Sequence, residues 1–265
     1  KLINNKKNMG SLYSRAIGGK IANGNYFIFF DSDDIILKEG ILKVYNHIIK
    51  HNLDIVQFLF IHQKNNTICT SKRYKYKNVI KQPLLSNIFY YDKSGVENNA
   101  ALWDKLIKKQ VVLKSLKFIG KKFIREKIVI ENDVILLFSI LKIAESYQFI
   151  ESFGYFYFGT NKDSISNFNK EPKTINEIFH SILLNINFLY EKTNKTFLDK
   201  YFCVFKMKQF FQRYKNYFKY GNQQYNFMKK LFNTLFDSKY ITNKDKLYLI
   251  KLYMTIFNID GSTRE

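Results

Sequence analysis

The feature that most constrains the fold of this chain is an apolar run that leads directly into three carboxylates. Residues 25–30 read Asn-Tyr-Phe-Ile-Phe-Phe, and Asp31-Ser32-Asp33-Asp34 follow without a break. A short apolar run rich in aromatic residues predicts a buried strand, so the carboxylates are expected at its carboxyl end. Acids this close repel one another unless a cation lies between them, and Mg²⁺ or Mn²⁺ fits because it takes oxygen ligands and keeps positions for phosphate oxygens. The alternative is that Asp33 or Asp34 caps a helix beginning near Ile35.

The first two thirds of the chain alternate between strand and helix patterns, which indicates an α/β layer structure. Strands are predicted over residues 25–30, 54–62, 127–130, 147–150 and 155–158, helices over 9–22, 39–51 and 133–144, and a strand leading into a helix over 103–117. Within the second helix Leu42, Tyr45 and Ile49 share one face, and Gly154 is expected in a turn between the last two strands. Beyond residue 168 only helical periodicity remains, so we predict an α/β domain over 1–168 and an α-helical region over 169–265.

Composition narrows the classes of function. The 265 residues include 43 Lys and Arg against 22 Asp and Glu, a formal net charge of +21. Lysines occur along the whole chain, among many residues with A- and T-rich codons, so we interpret the charge as compositional and do not expect a nucleic-acid partner. The two cysteines, Cys69 and Cys203, lie far apart, which excludes a disulfide framework and a cysteine zinc site. The four histidines are scattered along the chain, so we do not expect zinc chemistry.

The chain contains no segment typical of a membrane span. No run approaches the roughly 18–20 apolar residues that cross a bilayer, and residues 1–5 lack the apolar core of a signal peptide. We therefore expect a location in the cytoplasm or at the cytoplasmic face of a membrane. The Lys- and aromatic-rich C-terminal helices leave peripheral contact with an anionic membrane open as a hypothesis.

Several linked motifs surround the acidic run. Before it stand Asn8-Met9-Gly10, Ser14-Arg15-Ala16-Ile17-Gly18 and Ala22-Asn23-Gly24, and about a hundred residues after it comes Glu131-Asn132-Asp133-Val134. Between these lies Ala101-Leu102-Trp103-Asp104-Lys105-Leu106, and after them follow Tyr155-Phe156-Tyr157 and Ser164-Ile165-Ser166. In order and spacing, these elements resemble a family 2 glycosyltransferase over residues 5–168.

The resemblance implies a partial GT-A fold, Rossmann-like with a mixed sheet, and a hexosyltransferase-type reaction. A sugar would pass with inversion from a nucleotide-sugar donor, a UDP-sugar above all, to a hydroxyl of a glycan, lipid-linked or protein acceptor. By the same resemblance Asp31 and Asp33 would hold Mg²⁺ or Mn²⁺ against the donor diphosphate, with Asp34 as a supporting metal ligand. Arg15 would lie near the diphosphate, and Asp133 would be the general base.

Each of these residues also has a structural interpretation. Asp133 is an acid in the first turn of a predicted helix, where the helix dipole favours one. Trp103 is either a buried core ring or a platform for a sugar. Tyr155 and Tyr157 alternate as in a half-buried strand, so we predict core packing for both and no role in the site.

The resemblance leaves one part of the family pattern unmatched. Family members begin with an apolar strand, a turn and a second strand that ends in acids, and these elements hold the nucleobase and ribose; none of them precedes Lys1. We therefore expect no sugar transfer by this chain on its own. The alternatives to an enzyme are a catalytically inactive relic, or a protein that binds a glycan or nucleotide without turnover.

Overall fold

The computed structural model describes residues 1–64, 67–70, 78–82, 84 and 101–158, together with several positions between 177 and 192. The chain divides into two compact units, Lys1–Asn169 and Lys170–Glu265. In the second unit, the described positions between 177 and 192 are helical. The rest of the predicted helical region over 169–265, and the Ser164-Ile165-Ser166 motif, lie outside the described residues.

The first unit alternates helices and strands, as the sequence pattern predicts. In chain order its elements are α1 (Ser11–Ile21), β1 (Tyr26–Phe27), β2 (Ile35–Ile36), α2 (Lys38–Lys50), β3 (Ile55–Lys64), β4 (Thr67–Thr70), β5 (Ile80–Lys81), β6 (Lys105–Lys108), α3 (Lys109–Ile124), α4 (Asn132–Ile143) and β7 (Ser146–Phe158).

The described strands form one mixed sheet of seven strands. Its main path runs β1-β6-β3-β7-β2, with β4 paired to β3 and β5 paired to β7. The two long central strands, β3 and β7, are parallel, with Ile55 opposite Tyr147. The other pairs are antiparallel. The prediction of an α/β fold with a mixed sheet is therefore confirmed.

Two strand predictions were wrong. Residues 147–158 form one continuous strand instead of two strands and a turn, because the chain bulges where Phe58, Leu59 and Phe60 face Ile150, Phe153 and Tyr155. A bulge inserts extra residues into one strand without ending it, so Gly154 lies inside β7. Residues 127–130 form no described strand, since burial alone accounts for their apolar pattern: Ile128 and Ile130 are both buried. The predicted strand over 25–30 is shortened to the two residues of β1.

The face of α2 that carries Leu42, Tyr45 and Ile49 is not the face that the helix buries. Leu42, Tyr45 and Ile49 of α2 are between 43% and 50% exposed, whereas Gly40, Val44 and Ile48 are its buried residues. Both faces of α2 carry large apolar side chains, so periodicity alone does not decide between them. The close approach of Gly40 to β7 decides it.

This contact brings the start of α2 against the bulge of β7. A Cβ added to Gly40 would lie 1.7 Å from the carbonyl oxygen of Phe153, so only glycine fits. The Ser152 hydroxyl donates to the Gly40 carbonyl at 3.0 Å, and the Leu37 N–H donates to the Gly154 carbonyl at 3.0 Å. These bonds hold the start of α2 and the residue between β2 and α2 beside β7.

The core on the α2 side of the sheet is made from both central strands. Its buried members are Val44, Ile48, Leu53, Val56, Phe58, Leu106 and Tyr155. Because side chains alternate along a strand, Ile55 and Ile107, which are fully buried, point away from α2. Helix α4 is buried on all sides from Val134 to Leu141, and Gly19 lets α1 approach Leu116 of α3.

We expect Gly40→Ala to destabilise the first unit by at least about 2 kcal/mol, because the added methyl overlaps the backbone of β7. The matched control is Gly18→Ala in α1, where a Cβ meets nothing within 4 Å. That change should stabilise by about 0.5–1 kcal/mol, because alanine favours helix. Urea unfolding followed by the fluorescence of Trp103, the single tryptophan, measures both. Equal stabilities of the two variants would contradict the close packing described here.

Candidate functional site

The acidic run forms a tight turn between β1 and β2. The Asp34 N–H donates to the Asp31 carbonyl at 3.1 Å, which closes the turn. Helix α2 begins only at Lys38, with Leu37 as its N-cap and no side-chain capping bond. The alternative that Asp33 or Asp34 caps this helix was therefore wrong.

Arg15 joins this turn to the start of α4. Its Nη2 donates to Asp31 Oδ1 at 3.2 Å, and its Nη1 donates to Asn132 Oδ1 at 2.6 Å and to Asp133 Oδ1. Arg15 lies on the same side of α1 as the buried residues Leu12, Ala16 and Gly19, so the packing of α1 aims it inward. The guanidinium carbon is also 6.0 Å from the centre of the Phe29 ring. The structure thus brings together three of the predicted site residues, Arg15, Asp31 and Asp133.

Burial and charge oppose each other in this bridge. The Arg15 side chain is 14% exposed, against 41% for Asp31 and 28% for Asp133. Burial by itself lowers the pKa of Arg15, but the adjacent Asp133 and Asp31 outweigh it and leave the pKa raised. Burial raises the pKa of Asp31, and Asp133 and Asp33 add to this effect while Arg15 opposes it. Arg15 is thus the group that favours the charged form of Asp31.

Asp34 faces the sheet. It is 7% exposed, and its carboxylate accepts from the Tyr155 hydroxyl at 2.7 Å and from the Phe158 N–H at 2.9 Å. Burial raises the pKa of Asp34 despite these two bonds. Its two oxygens bond separately, Oδ2 to Tyr155 and Oδ1 to Phe158. Asp33, in contrast, is exposed at the tip of the turn.

Asp133 occupies the first turn of α4. The residue before the helix, Glu131, has a left-handed backbone with φ 53°, and its carbonyl accepts from the Val134 N–H at 3.1 Å. This sharp entry turns the helix start towards Arg15. The helix dipole favours an acid at this position, so Asp133 stabilises the start of α4 and contacts Arg15 at the same time.

Two residues of the site were missed by the sequence analysis. Asn132 accepts from Arg15, and Tyr155, predicted to serve only core packing, is fully buried yet places its hydroxyl on the acidic turn. The alternation of β7 correctly indicated a buried ring at Tyr155. No sequence signal indicates where a tyrosine hydroxyl points, whereas the Glu-Asn-Asp motif did place Asn132 next to the predicted base.

An aromatic stack extends from the site along the sheet. Trp103 stacks on Tyr155 with a centroid distance of 4.8 Å and on Tyr157 with 5.6 Å, and Phe60 meets it edge-on at 4.5 Å. The Trp103 and Tyr157 side chains are half-buried. Tyr157 packs as predicted, and Trp103 is part of this packing while remaining partly exposed.

The region offers two carboxylates to a cation. Asp33 is exposed at the tip of the turn, and Asp31 is 41% exposed beside Arg15. Among the described residues no group of three His, Cys, Asp or Glu side chains is arranged to hold a metal ion. Mg²⁺ commonly uses one or two carboxylates and completes its shell with water and substrate phosphates, so a pair of carboxylates fits such an ion.

A separate cavity of about 380 Å³ lies at the start of α1. Its lining includes Asn5, Lys7, Asn8, Ser14 and Ile128. None of the predicted site residues lines this cavity, so we do not assign the acidic turn to it.

None of the described helices is both long and apolar enough to cross a bilayer.

Comparison with solved structures defines the class of fold. S. aureus TarS, residues 1–349 in complex with UDP-GlcNAc, matches with a TM-score of 0.61 and 13% identity, over 96% of this chain and 71% of that one. The same protein in complex with UDP matches with a TM-score of 0.59 and 13% identity, over 92% of this chain and 67% of that one. The fold is therefore the GT-A fold of glycosyltransferases.

Comparison with sequence families and curated proteins finds similarity to glycosyltransferases. Residues 1–107 match the model of glycosyl transferase family 2. A cholesterol galactosyltransferase of Borreliella burgdorferi is 28% identical over 215 residues, which cover 75% of this chain and 57% of that protein. The chain is therefore similar to glycosyl transferase family 2 over its first 107 residues, and it spans a little over half the length of this curated relative.

We expect Arg15→Met to lower the stability of the first unit by about 1–3 kcal/mol at pH 7, because it leaves two partly buried carboxylates without their cation. Without Arg15 the folded-state pKa of Asp31 rises further above its unfolded value. The folded state then binds more protons than the unfolded state, so the loss should shrink as the pH falls towards the unfolded value.

The matched control is Arg125→Met, which removes the same charge from an exposed position at the end of α3. Urea unfolding at pH 7 and pH 5, followed by Trp103 fluorescence, measures both variants. A pH-independent loss, or an equal loss in both variants, would contradict the charge bridge.

Proposed function

We propose that this chain carries the acidic turn and the proton acceptor of a metal-assisted, inverting glycosyltransferase of the hexosyltransferase type. The similarity of residues 1–107 to glycosyl transferase family 2 and the GT-A fold support transfer of a sugar. The observation that carries the proposal is the Arg15 bridge, because it joins Asp31 and Asp133 in one site although 102 residues separate them in sequence. A diphosphate-binding turn must lie beside a proton acceptor for this reaction.

The donor in this proposal is a UDP-sugar. TarS, which shares the fold, is described in complex with UDP and with UDP-GlcNAc. The curated relative is named a galactosyltransferase. UDP-galactose and UDP-N-acetylglucosamine are therefore the first donors to test.

The residues of the turn would bind the donor diphosphate. Asp31 and Asp33 would hold Mg²⁺ or Mn²⁺, and Asp34, also predicted as a metal ligand, would support the turn from its bonds to β7. When bound, the metal neutralises the charge of the departing nucleoside diphosphate. Arg15 is placed to donate to phosphate oxygens, because its planar guanidinium already lies between the turn and α4 and can exchange carboxylate for phosphate partners.

Asp133 would act as the general base. In a single displacement, an acceptor oxygen attacks the anomeric carbon as the bond to the diphosphate breaks, and the acceptor proton passes to the Asp133 carboxylate. The anomeric configuration inverts, because attack and departure occur on opposite faces. Placing Asp133 across the Arg15 bridge from Asp31 supports this division of roles.

The acceptor would present a hydroxyl. Glycan, lipid-linked and protein acceptors all fit the reaction, and the name of the curated relative adds a sterol hydroxyl to the candidates. A lipid or sterol acceptor would require contact with a membrane surface, which agrees with the hypothesis of peripheral attachment.

We expect the wild-type chain to bind UDP in the presence of Mn²⁺, and Asp31→Asn to weaken this binding at least about tenfold, because a metal-binding charge is lost. Asp133→Asn should change the affinity by less than about threefold, since a base acts after binding. Glu145→Gln, an exposed acid outside the site, is the control. Isothermal titration calorimetry measures all four, and a wild-type chain that binds no UDP with Mn²⁺ would overturn the proposed function.

Transfer itself is measured by the release of UDP from the two candidate donors with each class of acceptor. In an active preparation Asp133→Asn should lower turnover at least about 10²-fold, the range of a lost general base. Unchanged turnover would remove Asp133 from the mechanism. Donor binding without turnover in any preparation favours the non-catalytic binding protein. Turnover by these 265 residues alone would contradict our expectation that the chain is inactive on its own.

A further inference from the structure

Tyr155 is held rigidly beneath the acidic turn. Its side chain is fully buried in the core on the α2 side of the sheet. One face of the ring stacks on Trp103 at 4.8 Å, and Phe30 approaches edge-on at 6.1 Å. The backbone of Tyr155 is held by the pairing of β2 with β7, in which Ile36 lies opposite Tyr155. The packing of the ring and the strand pairing of the backbone together fix the direction of the hydroxyl.

That hydroxyl contacts both ends of the turn. It accepts the Asp31 N–H at 3.2 Å and donates to Asp34 Oδ2 at 2.7 Å. A tyrosine hydroxyl has one proton to donate and can accept as well, so the two bonds are compatible with each other. Apart from these, the turn is closed by its own bond between the Asp34 N–H and the Asp31 carbonyl. The hydroxyl therefore joins the first and last residues of the turn through a side chain of β7.

The hydroxyl of Tyr155 contributes to a division of the three acids of the turn between two different environments. Asp34 is directed into the protein by Tyr155 and by the Phe158 N–H. Asp31 instead contacts Arg15 through its side chain, and Asp33 is exposed at the tip of the turn. With the ring rigid, this division is set before any ligand arrives, and preorganised carboxylates lose less conformational entropy on binding.

We propose that Tyr155 is a positioning residue whose hydroxyl holds the turn so that Asp31 and Asp33 face the donor diphosphate. The inference rests on the proposed function for the identity of the ligand. The hydrogen-bonding role itself is independent of that function. The two parts are therefore tested by separate measurements.

The first measurement is hydrogen exchange at the Asp31 amide. Tyr155→Phe keeps the ring and its stacking on Trp103 but removes the hydroxyl. The Asp31 amide should exchange at least about tenfold faster, because it loses its acceptor. Tyr157→Phe is the matched control: its ring also stacks on Trp103, in the same strand and two residues away. It should leave exchange at Asp31 unchanged.

The second measurement is the affinity for UDP with Mn²⁺, by calorimetry on the same chains. Tyr155→Phe should weaken binding about tenfold, the equivalent of about 1.4 kcal/mol, and Tyr157→Phe by less than about twofold. Melting temperatures of the two variants, followed by Trp103 fluorescence, should lie close together. A loss of affinity confined to Tyr155→Phe is the result that a merely structural role does not produce.

Each outcome decides a separate point. Unchanged exchange at Asp31 in Tyr155→Phe overturns the positioning role, whatever the affinity. Faster exchange with wild-type affinity also overturns it, because the turn would then bind without the hydroxyl. Faster exchange in a protein whose wild type binds no UDP with Mn²⁺ supports the hydrogen-bonding role and overturns the proposed function instead.

Discussion

The site depends on the neutralisation of like charges by one guanidinium. Asp31 and Asp133 come from elements far apart in sequence, and folding brings them to the same side chain. Two partly buried carboxylates repel each other, so without Arg15 their approach would oppose folding. Arg15 in turn reaches them only because Leu12, Ala16 and Gly19 pack α1 against the rest of the unit. The charge bridge and the helix packing therefore stabilise each other.

The parts of the fold that were predicted correctly depend on local sequence patterns. The apolar run at residues 54–62 predicted β3, and the runs at 147–150 and 155–158 predicted β7 as two separate strands. The acidic run after Phe30 placed the carboxylates just after β1. The linked motifs correctly indicated the GT-A fold and the similarity to glycosyl transferase family 2. They also selected Arg15, Asp31 and Asp133, which the structure brings together. Their chemical roles remain predictions.

The errors have a common physical origin, which is that burial depends on the partner. The apolar residues of α2 occur on both faces, and the contact of Gly40 with Phe153 determines which face is buried. A glycine at Gly154 predicts a turn from local propensity, yet the register of β3 against β7 makes it part of a bulge. Tyr155 was predicted only as a core ring, because the bonds of its hydroxyl join residues that lie 121 and 124 positions apart in sequence. None of these contacts is encoded within a local window of sequence.

The same long-range contacts set an order in which the molecule assembles. The acidic turn lies near the beginning of the unit, whereas Tyr155 and Phe158 are in its last strand, and β3 pairs in parallel with that strand. Contacts of such separation form slowly, because a long loop must close before they stabilise anything. During synthesis the turn emerges with none of its partners from β7 available. The docking of β7 on β3 therefore brings to the run of acids the Tyr155 and Phe158 bonds that shape the site.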